Sequence, residues 1–208
     1  MVSGAGMDPT DPTALENLLP CQGEVRYHGP VLTDAVAWDF FERLIHDTAW
    51  RQDEVMLYGR RLTTAREVAW HGDPDCDYTY SGTTKKALPW TPCLLELKAL
   101  VEAFAGSVFN SCLINLYHNG NEGMAWHSDD EKMLEPCGPI ASLSLGAERR
   151  FVFRHKSRAR PDVPLLLAHG SLLVMRGTTQ IHWRHSLPKS RRVTEPRINL
   201  TFRRIVRP

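Results

Sequence analysis

A histidine and an aspartate stand two residues apart in Trp126-His127-Ser128-Asp129. On an extended strand, residues two apart point to the same side, so this pair can offer an imidazole nitrogen and a carboxylate oxygen to one cation. A third ligand has to come from elsewhere in the chain. His185, in His182-Trp183-Arg184-His185-Ser186, follows Asp129 by 56 residues, next to a later strand. Two histidines and one carboxylate form the facial set that holds iron(II) in non-haem oxygenases, with open positions left for a bidentate co-substrate and O2. A His-x-Asp pair is common by chance, so it does not fix the metal by itself. His182 competes for the third position. His118, His155 and His169 are further candidates, for which loop or packing roles are the commoner reading.

A second pattern strengthens the metal reading. Near the C-terminus, Arg197, Asn199, Thr201 and Arg203 alternate with Ile198, Leu200 and Phe202. At the two-residue period of a strand, the polar set faces one side and the apolar set the other. A core strand that turned two arginines inward would bury unpaired charge, which is costly. An anion inside the fold removes the conflict, and a dicarboxylate suits it because guanidinium groups grip carboxylates through two parallel hydrogen bonds. Asn115 and Tyr117 repeat the spacing on Leu113 to Tyr117. The competing explanation is a sheet whose polar side meets water.

The elements that must position these residues follow from hydrophobic patterning. Thr33 or Asp34 is expected to cap a helix running to about Trp50, with Val36, Phe40, Leu44 and Ile45 along one face. Leu94 to Phe104 reads as a second helix, ended by Gly106. Between them, Arg51 to Trp90 is polar and aromatic, with turn signals and little regular periodicity. From about Phe109 short apolar runs alternate with turn residues: Cys112 to Tyr117, Ile140 to Leu145, Arg150 to Phe153, Leu165 to Leu167, Ser171 to Met175 and Arg197 to Phe202. That spacing predicts an antiparallel jelly-roll sandwich or barrel. Residues 1–20 are rich in Pro, Asp, Gly and Thr and are expected to be poorly ordered.

Composition narrows the class of function. A chain of 208 residues, 42% of them hydrophobic, suits one domain with a proper core. It holds no apolar run long enough for a membrane span and no secretory signal pattern. Five cysteines without a CxxC pair argue against a disulfide framework and a cysteine zinc site, so a reducing, cytosolic compartment is expected. Charge is unevenly spread. Residues 1–55 carry ten acids against three arginines, which leaves +8 on the remainder of a chain with net charge +1. Arg149 to Arg160 holds six basic residues and no acid, and Arg184 to Arg207 holds eight against Glu195 alone. Such clusters fit phosphate binding, although a solvated charged face is the plainer reading of clustering alone.

At these residues the chain closely resembles the AlkB family of iron(II)- and 2-oxoglutarate-dependent nucleic-acid dealkylases. The likeness runs from about Tyr58 to Arg204. It is carried by Asn115-Leu116-Tyr117, His127-Ser128-Asp129-Asp130-Glu131, Pro139 to Gly146, His169-Gly170-Ser171-Leu172-Leu173, His185-Ser186-Leu187-Pro188 and Pro196 to Arg203. Within the family the pattern is nearest the second and third human homologues, which repair DNA. The resemblance implies iron ligation by His127, Asp129 and His185, against His182. It implies a 2-oxoglutarate site made by Asn115, Tyr117, Arg197, Asn199 and Arg203, with Thr201 nearby, Arg197 holding the distal carboxylate. It also implies a nucleotide-recognition lid at Tyr78-Thr79-Tyr80-Ser81-Gly82 and an earlier DNA-touching loop at Tyr58-Gly59-Arg60, with Asp130 approaching the extruded base. Residues 21–108 would then be a helical extension with the lid, and residues 109–208 the jelly-roll catalytic core.

The implied activity is oxidative demethylation of bases such as N1-methyladenine and N3-methylcytosine, coupled to conversion of 2-oxoglutarate and O2 to succinate, CO2 and formaldehyde. Because the methyl group is inaccessible in a stacked duplex, the base must be flipped out or already single-stranded. The expected partner is single- or double-stranded DNA, with RNA, or a protein or lipid substrate for the same chemistry, as alternatives. The chain is expected to work as a monomer, away from membranes, in the cytoplasm or nucleus.

Overall fold

In a computed structural model, residues 15–57, 60–74, 76, 78–80 and 83–206 are described. In chain order the elements are β1 (Glu24–Pro30), α1 (Asp34–Asp47), β2 (Arg51–Leu57), β3 (Arg60–Gly72), β4 (Tyr78–Tyr80) and β5 (Thr83–Lys85). They continue with α2 (Pro92–Ala105), β6 (Ser111–Tyr117), β7 (Met124–His127), β8 (Ile140–Gly146), β9 (Arg149–His155) and β10 (Val163–Leu167). The chain closes with β11 (Ser171–Arg176), α3 (Thr179–His182), β12 (Trp183–Leu187) and β13 (Arg197–Arg203).

A seven-stranded sheet in the order β1-β11-β8-β13-β6-β3-β2 faces a four-stranded sheet in the order β10-β9-β12-β7, and β4 and β5 form a separate hairpin. Every pairing within these sheets is antiparallel. This is the jelly-roll architecture expected from the turn spacing. The position of β13 explains its alternation. It lies in the middle of the large sheet, flanked by β6 and β8. Its apolar residues Ile198, Leu200 and Phe202 are fully buried in one core with α1 and α2. Burying one such aliphatic side chain stabilises the fold by about 1.5–3 kcal/mol. Its polar residues face the other sheet, where Arg197, Thr201 and Arg203 are also buried. A polar sheet face open to water is therefore excluded.

Several elements differ from expectation. The helix α1 stops at Asp47 because Thr48 is extended, and its Thr33 cap position makes no side-chain cap bond. Its buried stripe is Ala37, Phe40, Phe41 and Leu44, while Val36 is 43% exposed. The contact line is thus turned by one position. Phe41 packs over Gly146, where a Cβ would stand 2.8 Å from the ring and the backbone has a positive φ of 85°. The helix α2 starts two residues before the expected Leu94 and runs over Pro92–Ala105, capped by the Thr91 hydroxyl oxygen; Gly106, in the left-handed region, ends it as expected. Arg51 to Trp90, expected to lack regular structure, supplies four strands, and β1, β7 and β12 are further strands that the apolar runs do not mark. Since β1, β2 and β3 join the same sheet as β6, β8, β11 and β13, that sheet draws on both sides of residue 108. Residues 15–20 also belong to the packed fold. Leu19 is 3% exposed, and Asn17 accepts from the backbone N–H groups of Leu19 and Val25.

Candidate metal and co-substrate site

Two of the three candidate ligands are cross-strand partners. His127 closes β7, and its register partner on β12 is His185. Their rings meet edge to face with centroids 4.3 Å apart. Asp129 is not on the strand, as a two-residue period would have it, but just beyond its end. Three bonds fix that loop: Ser128 Oγ donates to the Trp183 carbonyl at 2.9 Å, Asp129 N–H donates to Gln180 Oε1 at 2.9 Å, and Arg203 Nη2 donates to Asp129 Oδ1 at 2.6 Å. The Asp129 oxygens then lie 4.0 Å from His127 Nε2 and 3.7 Å from His185 Nε2. His127 Nδ1 sits 2.9 Å from the Ala125 carbonyl, which can only accept, so Nδ1 donates there and Nε2 is the nitrogen turned to Asp129.

Among the described residues, His127, Asp129 and His185 are the group of histidines and acids whose ligand atoms all lie within 4.8 Å of one another. His182 is elsewhere: it sits on α3 with its ring stacked 6.2 Å from that of His155. His118 is bonded to Glu122 and Glu67, and His169 Nδ1 accepts from Gly146 N–H at 2.7 Å. The charge states suit metal binding. Burial alone would raise the Asp129 carboxyl, but Arg203, His185 and His127 outweigh it and hold it below the usual range. Burial, helped by His127 and Arg203 and opposed by Asp129, pushes His185 down to about 3. Two histidines with one carboxylate are the donor set that iron(II) accepts, and the Asp129 and His185 states suit it.

These ligands open onto a cavity of about 110 Å³ between the sheets. Its walls include Asn115 and Tyr117 from β6 and Arg197, Asn199, Thr201 and Arg203 from β13, so every residue expected at the co-substrate site lines one space with the three metal candidates. Register explains this, because Asn199 pairs with Asn115 and Arg197 with Tyr117. Arg197 is 2% exposed; its Nη2 donates to Ser144 Oγ at 3.0 Å, and Nε has no hydrogen-bond partner among the described residues. Burial, with nearby Arg149 adding and Tyr117 opposing, pushes it down to about 10. A buried guanidinium in this state fits a carboxylate. Asn199 Nδ2 donates to Ser142 Oγ at 2.8 Å, and Thr201 Oγ1 donates to Asn199 Oδ1 at 3.2 Å. Asn115 Oδ1 is buried without a partner among the described residues. The donor set and these open polar atoms fit iron(II) with a chelating dicarboxylate.

Sequence reasoning misses part of this lining. Ser142 lines the cavity and alternates with Ser144 within Ile140-Ala141-Ser142-Leu143-Ser144-Leu145, the same period-two signal that marks β13, and the two hydroxyls hold Asn199 and Arg197. Met124, Phe151 and Leu187 supply apolar wall and carry no distinguishing signal. Of the residues expected to meet substrate, Tyr58 and Gly59 lie outside the described residues. Arg60 begins β3, and Tyr78 and Tyr80 bound β4. Asp130 is exposed, 3.5 Å from Lys156 Nζ, and lines a neighbouring cavity of about 230 Å³ with Asp129 and Arg203, whereas Glu131 lines both. Within the basic stretch from Arg149 to Arg160, Arg149 is buried and is no part of a surface.

Comparison with known proteins agrees with this geometry. The profile of the 2OG-Fe(II) oxygenase superfamily matches residues 24–203. The chain is 45% identical over 159 residues to the human DNA oxidative demethylase ALKBH2, covering 73% of this chain and 61% of that protein. It is 41% identical over 208 residues to the bovine alpha-ketoglutarate-dependent dioxygenase alkB homolog 3, covering 93% of this chain and 68% of the relative. The chain thus spans about three fifths of the length of the human relative. The solved structure of OsALKBH1 superposes with a TM-score of 0.58 at 13% identity, covering 89% of this chain and 99% of that one, a likeness of fold. The chain belongs to the 2OG-Fe(II) oxygenase superfamily and, within it, to the AlkB family.

Proposed function

We propose that this chain oxidatively removes methyl groups from alkylated bases in DNA, with N1-methyladenine and N3-methylcytosine as substrates. The observation that carries the reading is the meeting, in one cavity, of the His127-Asp129-His185 set with the buried Arg197 and Arg203 of β13. The relatives support the substrate class, since ALKBH2 from human and from Arabidopsis thaliana is named a DNA oxidative demethylase. Exposed basic residues support a polyanionic partner: Arg150, Lys156, Arg158 and Arg160 on one stretch, Arg184, Lys189, Arg191 and Arg192 on the other.

In this reading His127, Asp129 and His185 hold iron(II). Arg197 receives the distal carboxylate of 2-oxoglutarate, and Asn115 and Arg203 lie at the chelating end. Tyr117, Asn199 and Thr201 complete the wall. Bound iron and co-substrate supply the oxidation of the methyl carbon by O2, with decarboxylation of 2-oxoglutarate to succinate. Arg203 keeps Asp129 ionised and oriented. Phe151 and Leu187 exclude water from the reacting centre. Asp130, with a carboxylate at the surface, favours a cationic methylated base over its neutral product. Tyr78 and Tyr80 stack on the extruded base, and Tyr58, Gly59 and Arg60 contact the strands around it. No helix among the described residues is long and apolar enough to cross a membrane. The chain acts as a monomer in the nucleus or cytoplasm.

The test uses matched oligonucleotides carrying one N1-methyladenine or N3-methylcytosine, as single- and double-stranded DNA and as RNA. Loss of the methyl group from DNA, dependent on iron and 2-oxoglutarate, is expected. Turnover on RNA alone would move the substrate class, and none on any oligonucleotide would reject nucleic acid.

A further inference from the structure

Arg149 opens β9 and is 2% exposed, yet it is not among the residues that line the cavity. Its guanidinium carbon stands 5.9 Å from the centre of the Tyr117 ring, and that of Arg197 stands 5.6 Å from the same ring. Two buried cations therefore share one aromatic side chain. The hydrogen bonds of Arg149 go to neutral acceptors: Nη2 donates to the Glu122 and Pro188 carbonyls at 2.8 and 2.9 Å, and Nη1 to the Asn119 carbonyl at 3.5 Å. Its Nε has no hydrogen-bond partner among the described residues. Glu122 gives Arg149 a hydrogen bond only through its backbone carbonyl; its carboxylate, engaged by the His118 backbone and ring, acts on Arg149 without bonding it. Carbonyl dipoles solvate a guanidinium without cancelling its charge. In a medium of low dielectric that charge reaches through the ring to whatever anion meets Arg197. Burial lowers the pKa of both arginines, and Arg149 adds to the lowering at Arg197. Arg149 meets no carboxylate in a hydrogen bond, and the nearby Tyr117 and Glu122 offset its burial only in part.

We propose that Arg149 is a positioning residue for the co-substrate: behind Tyr117, it supplies the second positive charge that makes this end of the cavity select a 2-oxo acid carrying a distal carboxylate. The inference rests on the placement of that carboxylate at Arg197 given above. A purely structural alternative is that Arg149 only ties the Asn119–Gly123 turn to Pro188.

Charge and tie are separable. Arg149→Gln removes the charge and keeps N–H donors for the carbonyls, whereas Arg149→Lys keeps the charge and loses the planar fork. The readout is equilibrium binding to the manganese-loaded protein by titration calorimetry, without turnover. The probes are 2-oxoglutarate and 2-oxovalerate, which has a methyl group where the former has its distal carboxylate. Wild type is expected to prefer the dicarboxylate strongly; the absence of any preference would reject the Arg197 placement itself. Given that preference, Arg149→Gln should lower it by about tenfold or more, through weaker 2-oxoglutarate binding with 2-oxovalerate unchanged, and Arg149→Lys should keep it within about threefold. Equal loss for both acids in Arg149→Gln would overturn the proposal and leave a structural tie. Should the glutamine variant not fold, the lysine variant decides: a collapsed preference there contradicts the charge role.

Discussion

His182 and His185 sit three residues apart, and only His185 faces the Asp129 carboxylate, at 3.7 Å. The difference comes from backbone direction: His182 closes the short helix α3, and His185 lies on β12 opposite His127. Substituting His127, Asp129 or His185 by alanine is expected to abolish turnover with the fold retained, and His182→Ala to keep substantial iron-dependent activity. A dead His182→Ala beside an active His185→Ala, in a succinate assay with circular dichroism as the folding control, contradicts the ligand set. Arg197 makes the second prediction at this scale. Arg197→Lys keeps the charge but loses the fork, so the apparent affinity for 2-oxoglutarate should fall by about 10–100-fold, the worth of one charge-assisted hydrogen bond. Iron binding should change far less. An unchanged co-substrate dependence would remove Arg197 from the carboxylate site.

At the scale of elements, β13 separates stability from chemistry by its two faces. Phe202 is fully buried, with Phe109 at 6.1 Å and Trp90 stacked at 6.5 Å. Phe202→Ala is expected to lower unfolding free energy by about 3–5 kcal/mol. Co-substrate affinity of the folded fraction should stay near wild type, the reverse of Arg197→Lys. Chemical denaturation beside 2-oxoglutarate titration checks both arms. This strand was legible in the sequence because both faces are buried and only one is apolar. Others were not. Glu54–Leu57 of β2 and Arg60–Thr63 of β3 pair with each other and, among the described residues, with no other strand, so no apolar alternation was required there. β12 hides because its five residues hold only two apolar side chains, Trp183 and Leu187, too few for an apolar run to mark. β7 is four residues long with a register shift against β12, too short for a period to emerge. The residues that meet in the cavity were readable because they sit at regular strand positions or in a compact motif. Arg149 was not: in a basic run it resembles a surface charge, and only packing puts it behind Tyr117.

For the whole molecule, the surplus of positive charge after residue 55 and the cavity onto which the metal set opens suggest a nucleic acid that presents one base while its backbone lies on the surface. Flipping a base from a duplex leaves a gap, which enzymes often fill with an inserted side chain. Tyr58 stands in the sequence between β2 and β3 and is the candidate wedge. Unstacking costs a few kcal/mol in a duplex and little in a single strand. Tyr58→Ala should therefore lose repair of double-stranded DNA preferentially, at fixed salt because phosphate contacts are salt-dependent. Equal loss on both substrates would leave Tyr58 a general contact.

The central claim is that one cavity couples 2-oxoglutarate consumption to removal of a methyl group from DNA. Succinate and formaldehyde should therefore be counted together from an oligonucleotide with a single N1-methyladenine, incubated with iron, 2-oxoglutarate and O2. The account predicts equal amounts of the two products, each matching the adenine restored, and none of these from His185→Ala. Succinate formed without formaldehyde, at a rate indifferent to the methylated DNA, would contradict it.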